Sequence, residues 1–570
     1  MTDHAPPRKP QTSLSTPRIP VNPWITLIVV SLGFFMILLD TTIVNVAIPS
    51  IITDLHASLD QILWVLSGYI LVYAVLLITT GRLGDMYGPK KLFLSGLALF
   101  TLASAACGLA QSPEQLIIFR VIQGVGGALL TPQSMSIITS IFPPEKRGAA
   151  FGVWGAVAGL AAVTGPTLGG FLTTTFSWRA IFYVNVPIGI AAIVLATLVM
   201  PELTNHRKHH LDIPGVALAS SGLFIGVFAL IESEKFNWGR IWNVGAINIG
   251  PVEAGPVSVL SLLLLSVVIL AVFVTLEVRA DEPLLPISLF HDRNFSIANG
   301  VSALVAFGML GLFLPLSIFL QSVLGLDALH AGFVLVPTSL TSLLISPFAG
   351  RLTDRVNGKF ILFTGLVLFA AGMGMVVWVA SLTSTGTSFT LPLIVAGVGM
   401  GCTFAPMVTL AMRHVRPEQA GTASGFINTV RQVGGAVGNA VVGAVLQHQL
   451  ASELKSQASR AAAQLPLQIR GRFVSGFSHA ASGGFQVGRG ENSGNLPKNL
   501  PAGLAHHLQI VGHEVFQQAF LNAMKPALLV PITILLVGSF STLFMDTPPV
   551  VRQEQKQDAR GESRIAAAGQ

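Results

Sequence analysis

The stretch GRLGDMYGPKK, residues 81–91, follows one long apolar run and returns after another as GRLTDRVNGK, residues 350–359, at an offset of 269. A second segment, PEKRGAAFG at 144–152, comes back as PEQAGTASG at 417–425, with five identities in nine positions at an offset of 273. Two unrelated segments that repeat at nearly one spacing mark an internal duplication.

The chain around these repeats is apolar. Of its 570 residues 52% are hydrophobic and 10% charged, and the mean hydropathy is +0.69. Soluble domains carry about 25% charged residues, and a membrane-crossing helix needs roughly 20 apolar ones. Apolar runs fall at 24–48, 61–80, 92–110, 115–139, 148–173, 181–200, 213–231, 257–277, 295–320, 331–349, 360–380, 389–411, 420–447 and 526–546, fourteen in all, with glycine interrupting the fifth and thirteenth. That pattern excludes a soluble enzyme on a single anchor. It also excludes an outer-membrane barrel, whose strands are about ten residues long and alternate in character.

The repeats follow spans 2 and 10 and precede spans 5 and 13, so both pairs fall on one side of the membrane. The expected fold is therefore an all-α polytopic membrane protein. Two six-helix bundles related in parallel, residues 24–200 and 295–546, flank a linker of residues 201–294 that carries two inserted helices. Halves of this kind place a binding cavity between them near the bilayer midplane and alternate its access by rocking. Residues 1–23 and 547–570 read as polar tails. The long segment 449–524 reads as a polar helix over 451–472, a Gly/Asn/Pro-rich loop over 481–501 and an amphipathic helix over 503–524, with a loosely packed surface loop favoured over a structured lid.

Lysine and arginine set the orientation. With both termini cytoplasmic, the tails and inner loops hold 21 of the 33 basic residues and the short outer loops hold three, Arg179, Lys235 and Arg240.

Away from the ends of the runs, three charged side chains fall inside the spans: Asp40, Arg120 and Arg431. A charge at mid-helix costs roughly 2.5–3.5 kcal/mol on insertion scales, so each needs a partner or a task. At 1.5 Å per residue, Asp40 and Arg120 lie about 12 and 8 Å below the outer surface and are expected to meet. Burial disfavours a carboxylate's charged form and a neighbouring guanidinium favours it, and such opposed influences can poise an acid for proton exchange. Asp40 is the candidate proton-coupling group, with Arg120 modulating it; a permanent ion pair holding span 1 to span 4 is the alternative. Arg431, about 15 Å into its span, is a cavity candidate that either meets substrate or donates to carbonyls at Gly434-Gly435.

Span 5 carries Gly152, Gly155, Gly159, Gly165-Pro166, Gly169 and Gly170, a spacing that lets helices approach closely and seal a cavity. In the loop from Gly81 to Lys91, glycine turns accompany Asp85 and the cations Arg82, Lys90 and Lys91. Asp85 is placed to accept from a facing helix N-terminus or to pair with an arginine, and the repeated Asp354 argues for more than topology. Cys107 and Cys402 read as small packing residues, with no disulfide framework. The run His206-Arg207-Lys208-His209-His210 reads as a basic lipid-facing loop, and His506, His507, His513 and Glu514 lack the HExxH spacing of a zinc hydrolase. No metal, cofactor or nucleic acid is expected.

Taken together, LDTTIVNVAIP (39–49), GRLGDMYGPKK (81–91), FRVIQGVGGA (119–128), GLAAVTGPTLGG (159–170) and WRAIFYVNVPIG (178–189) resemble, in this order, the motifs of the major facilitator superfamily, in particular its fourteen-span drug:proton antiporter branch. The resemblance covers about residues 24 to 546. It implies that Asp40 belongs to the span 1 signature and that Arg120 takes part in proton transfer. It also makes Gly81, Arg82, Asp85, Gly88, Lys90 and Lys91 a gating loop, and Gly159, Gly165, Pro166, Gly169 and Gly170 an antiporter motif. The implied function is export of amphipathic, often cationic compounds in exchange for protons across a bacterial cytoplasmic membrane, with a periplasmic adaptor and outer-membrane channel as candidate partners. The second loop copy departs from the motif, with Val356-Asn357-Gly358 where the first has Tyr87-Gly88-Pro89. The scarcity of interior carboxylates puts a broad range of cationic drugs in doubt. Competing readings are an exporter dedicated to one endogenous metabolite and a non-transporting sensor on the same fold. An enzyme is disfavoured, since no nucleophile and base are arranged together.

Overall fold

The computed structural model describes residues 22–546 except 204–210, 234–235, 237, 243–246, 250–251, 255–256, 281, 464, 466 and 483–501. Both tails, the His206–His210 run and most of the loop expected at 481–501 lie outside the described residues.

Helices α1 (Pro23–Leu55), α2 (Leu59–Tyr87), α3 (Pro89–Leu109), α4 (Pro113–Ile141) and α5 (Pro144–Thr175) lead to a short α6 (Ala180–Tyr183) and to α7 (Asn185–Val199). The inserted pair is α8 (Ile213–Glu232) and α9 (Val259–Glu277), joined by a segment containing two short antiparallel strand pairings. Then come α10 (Arg293–Ile318), α11 (Ala328–Arg355), α12 (Gly358–Val379), α13 (Thr390–Ala411), α14 (Ala420–Ala462), α15 (Leu467–Ser482) and α16 (Ala502–Thr542). Polar caps fix several starts: Ser58 and Ser258 form capping boxes with Gln61 and Ser261, and Asp212, Asp292 and Asp327 accept from first-turn amides.

Among the described residues, twelve helices are long and apolar enough to cross a membrane. The fifth and thirteenth expected spans form as α5 and α14 but are not among the twelve. In α14 the polar Asn428, Arg431, Gln432 and Asn439 dilute an otherwise apolar run.

The helices pack in two matching sets. In the first, α1 packs on α5 and α7, α2 on α4, and α3 on α4 and α7. In the second, α10 packs on α14 and α16, α11 on α13, and α12 on α13 and α16. The sets meet along two equivalent seams, α5 against α11 and α14 against α2. The inserted helices break this symmetry. Helix α8 lies against α2 and α14 and packs on α9, so the pair covers only the α2–α14 seam.

Two sequence boundaries are corrected. Span 6 forms where expected, as Ala180–Val199, with only Val184 standing between α6 and α7 and keeping helical dihedrals. The expected helices at 451–472 and 503–524 are not separate elements. Helix α14 continues to Ala462, burying Leu450, Leu454, Ala458 and Ala462 at four-residue spacing, and 503–524 is the first part of α16, which runs through Pro526 and Pro531. The described parts of this segment are packed: Asn522 Nδ2 donates to Glu453 Oε2 at 3.0 Å, and Gln517 Nε2 donates to the Val323 carbonyl at 2.7 Å.

Candidate functional site

Asp40 lies on α1, 17 positions after Pro23, and is completely buried; Arg120, on α4, is 1% exposed. The two form an ion pair through Arg120 Nη1. Their surroundings supply the remaining hydrogen bonds. Gln123, one turn beyond Arg120, donates from Nε2 to Asp40 Oδ1 at 2.9 Å and accepts from Arg120 Nη1 at 2.8 Å. Asn185 donates to the same Oδ1 at 3.2 Å and to Ser104 Oγ at 3.0 Å. Arg120 Nε donates to the Val65 carbonyl at 3.3 Å. The guanidinium carbon stands 4.3 Å from the centroid of the Tyr69 ring, and that ring stacks parallel to Tyr73 at 6.0 Å. Helices α1, α2, α3, α4 and α7 thus converge on one acid.

Ionisable residues alone reveal only Asp40 and Arg120. Gln123 and Asn185 stand inside the quoted motifs, yet a neutral amide in an apolar run gives little warning of its task. The signal that would find them is any amide side chain in a span, because an unbonded one is costly there.

A second constellation lies at the end of the bundle that carries Lys90, Lys146 and Lys359, here termed the basic face. Asp85, at the end of α2, accepts from Gly421 N, Thr422 N and Thr422 Oγ1 at 2.8, 2.8 and 2.7 Å. Asp354, at the end of α11, accepts from Gly148 N and Ala149 N at 2.8 Å each. Both carboxylates therefore sit at the N-terminal end of a helix in the opposite set, Asp85 on first-turn amides of α14 and Asp354 on second-turn amides of α5, where the helix dipole favours an anion. Each aspartate comes from one copy of the 81–91 repeat and each amide pair from one copy of the 144–152 repeat. The two sequence repeats are thus the two parts of one clasp, built twice. Glycine permits the approach: a methyl group at Gly81 would overlap the Gly421 carbonyl, and one at Gly350 would overlap the Gly148 carbonyl.

The copies differ in detail. Arg147 reinforces the Asp354 clasp alone, donating from Nη1 to the Met412 carbonyl at 3.2 Å and from Nη2 to the Thr139 carbonyl at 2.8 Å. Gly88 turns the first loop with φ +97°, a conformation suited to glycine. In the second loop Asn357 caps α12 by accepting from Lys359 N at 3.3 Å. The lysines also match. Lys90 Nζ donates to the Met200 carbonyl at 2.7 Å, closing the end of α7, and Lys359 Nζ reaches the Met545 carbonyl at 3.3 Å just past α16. Arg82 is buried beside Asp85, and Lys91 is exposed.

The glycines of α5 serve two neighbours. Gly152 lies against Ser346 and Pro347, and Gly159 against Ser339 and Leu343, all on α11. Gly165 and Gly169 instead abut Thr42 and Ile43 of α1, and Gly170 has nothing within 4 Å. Sealing against the opposite set therefore ends near Gly159, and the rest of the motif packs within its own set. Pro166 is in α5 without breaking it.

Arg431, half-buried on α14, faces Tyr73 on α2. It does not serve a bend at Gly434-Gly435, because α14 is continuous from Ala420 to Ala462 and its backbone carbonyls there are used within the helix. Among the described residues no group of three or more His, Cys, Asp or Glu side chains is placed to hold a metal ion.

The Major Facilitator Superfamily profile matches residues 30–439. An uncharacterized MFS-type transporter of Mycobacterium tuberculosis is 40% identical over 420 residues, 72% of this chain and 68% of its own. The tetracenomycin C resistance and export protein of Streptomyces glaucescens is 32% identical, over 73% of this chain and 74% of its own. The crystal structure of the human organic anion transporter MFSD10 superposes with a TM-score of 0.55 at 15% identity, covering 91% of this chain and all of that one.

Proposed function

The chain belongs to the major facilitator superfamily, and from that premise we propose that it is a proton-coupled antiporter exporting amphipathic compounds, drugs among them, across a bacterial cytoplasmic membrane. Families of this kind transport small molecules and are not enzymes, and several relatives are named for drug resistance or export. In this reading α5 and α14 also cross the bilayer, giving fourteen spans in a six, two and six arrangement. Both termini and the basic face are cytoplasmic, and the two bundles rock about a cavity between them. Gly81, Arg82, Asp85, Gly88, Lys90 and Lys91 form the gate.

The observation that carries the reading is the fully buried Asp40, bonded to one guanidinium and two carboxamides. An acid held inside a transporter by groups that favour its charged form can release a proton in one conformation and take one up in another, as rocking changes its access to water. In this reading the clasps at Asp85 and Asp354 hold the cytoplasmic side shut and release when the bundles rock.

The test is susceptibility profiling of a pump-deficient bacterium expressing the chain, with and without an uncoupler. Raised resistance that the uncoupler removes is the expected result; resistance that survives it overturns proton coupling. Arg120→Lys checks the site itself. Lysine keeps the charge but lacks the planar fork that serves Asp40, Gln123 and Val65 at once. Proton-driven efflux in proteoliposomes is expected to fall at least about tenfold, a loss of about 1.4 kcal/mol in the coupled step. Undiminished efflux would leave Arg120 a packing residue.

A further inference from the structure

Arg431 gives the space between the bundles a sign. It stands 11 residues after Ala420, about 16 Å along α14 from the clasp, half-buried, and among the described residues it has no carboxylate partner. Its polar partner is the neutral hydroxyl of Tyr73, which also bonds Thr131 Oγ1 at 3.0 Å. Asp40 offers it nothing, because that carboxylate is sealed at 0% exposure and committed to Arg120, Gln123 and Asn185. The three charges at mid-span therefore leave one positive charge, and Lys525, half-buried on α16 nearer the far face, adds the same sign. A guanidinium at this depth costs roughly 2.5–3.5 kcal/mol on insertion scales; the neutral Tyr73 hydroxyl leaves its charge uncompensated, and a bound anion offsets that cost with a charge-assisted, two-point contact.

We infer that Arg431, with Tyr73 beside it, is the recognition group for an anionic oxygen of the substrate, and that the exported compounds are lipophilic organic anions such as aromatic carboxylates. This rests on the reading that the path of transport runs between the bundles, and it departs from the cationic substrates that the sequence resemblance implies. An organic cation would meet a positive wall with no accessible carboxylate at mid-depth. The parallel rings of Tyr73 and Tyr69 separate the anion from the Asp40–Arg120 pair while keeping the two sites in one packed column. A further consequence concerns charge movement. Exchange of one proton inward for one monoanion outward carries two positive charges inward, so an inside-negative potential drives it; exchange for a monocation carries none.

The test uses two probes of one body and opposite charge, 1-pyrenebutyrate and 4-(1-pyrenyl)butyltrimethylammonium, titrated onto the full chain in detergent and followed by energy transfer from tryptophan. Wild type is expected to bind the carboxylate at least tenfold more tightly than the ammonium. Arg431→Gln is expected to abolish that preference, and Arg431→Lys to keep part of it. Equal binding of both probes by wild type, or an undiminished preference in Arg431→Gln, overturns the inference. Because wild-type binding is read first, a misfolded variant cannot decide the matter. In proteoliposomes, an inside-negative diffusion potential without a pH gradient is expected to drive pyrenebutyrate from the basic-face side; no response overturns the charge count. Charge-selective binding without proton-driven transport would sink the antiport reading alone, whereas proton-driven transport without charge selectivity would sink this one alone.

Discussion

Asp40→Asn is expected to abolish export driven by a pH gradient, to the level of empty vesicles, while exchange of substrate for substrate continues. Asparagine fills the same volume and can still accept from Gln123 and Asn185, but it neither gains nor loses a proton. The change also leaves the buried Arg120 unpaired, and removing one partner of a buried ion pair costs about 3–5 kcal/mol of stability. Loss of transport by itself would therefore be ambiguous. The double variant Asp40→Asn/Arg120→Gln removes both charges and is expected to recover most of the thermal stability of wild type, measured by monodispersity after heating, without recovering coupled export. Coupled export by either variant would remove Asp40 from the mechanism.

The second large effect is expected at the clasp. Asp85→Ala deletes three hydrogen bonds to a carboxylate, and bonds to charged groups contribute about 1.5–3 kcal/mol each. Even the loss of two such contributions, about 3 kcal/mol, moves the balance between closed and open basic faces by more than a hundredfold. Spin labels at Lys91→Cys and Arg416→Cys, both exposed, in a background with Cys107 and Cys402 replaced by alanine, report that balance as a distance distribution. The wild type is expected to give one short distance and Asp85→Ala a longer one. Asp354→Ala, which deletes two bonds and leaves the Arg147 contacts in place, is expected to shift the distribution less. Unchanged distances in Asp85→Ala would mean that the clasp does not set the conformation.

Much of this was legible in the sequence because lipid punishes charge. A bilayer leaves few places for an aspartate or arginine, so Asp40, Arg120 and Arg431 stood out without any alignment, and the duplicated segments gave the arrangement of the halves. What the repeats did for one another was not legible. Nothing in PEKRG or PEQAG says that the Gly148 and Gly421 amides will meet a carboxylate from the other half, since that depends on how two bundles lean together. Lys90 and Lys359 read as topology signals, yet both also close the ends of helices. The supporting amides of Asp40 were hidden for a different reason: Gln123 and Asn185 carry no charge. The helices at 451–472 and 503–524 were legible, but not their continuity with the spans, because the pattern turns from apolar to polar at the boundary; Leu450 and Leu454 continue a buried stripe across it.

The inserted pair α8 and α9 gives an otherwise two-fold molecule a front and a back. Among the described residues, padding rests over one crevice, between α2 and α14, and the matching crevice between α5 and α11 has no comparable cover. Two walls that are copies of each other are thus upholstered unequally, and a molecule coming at them from the side would find the two approaches different.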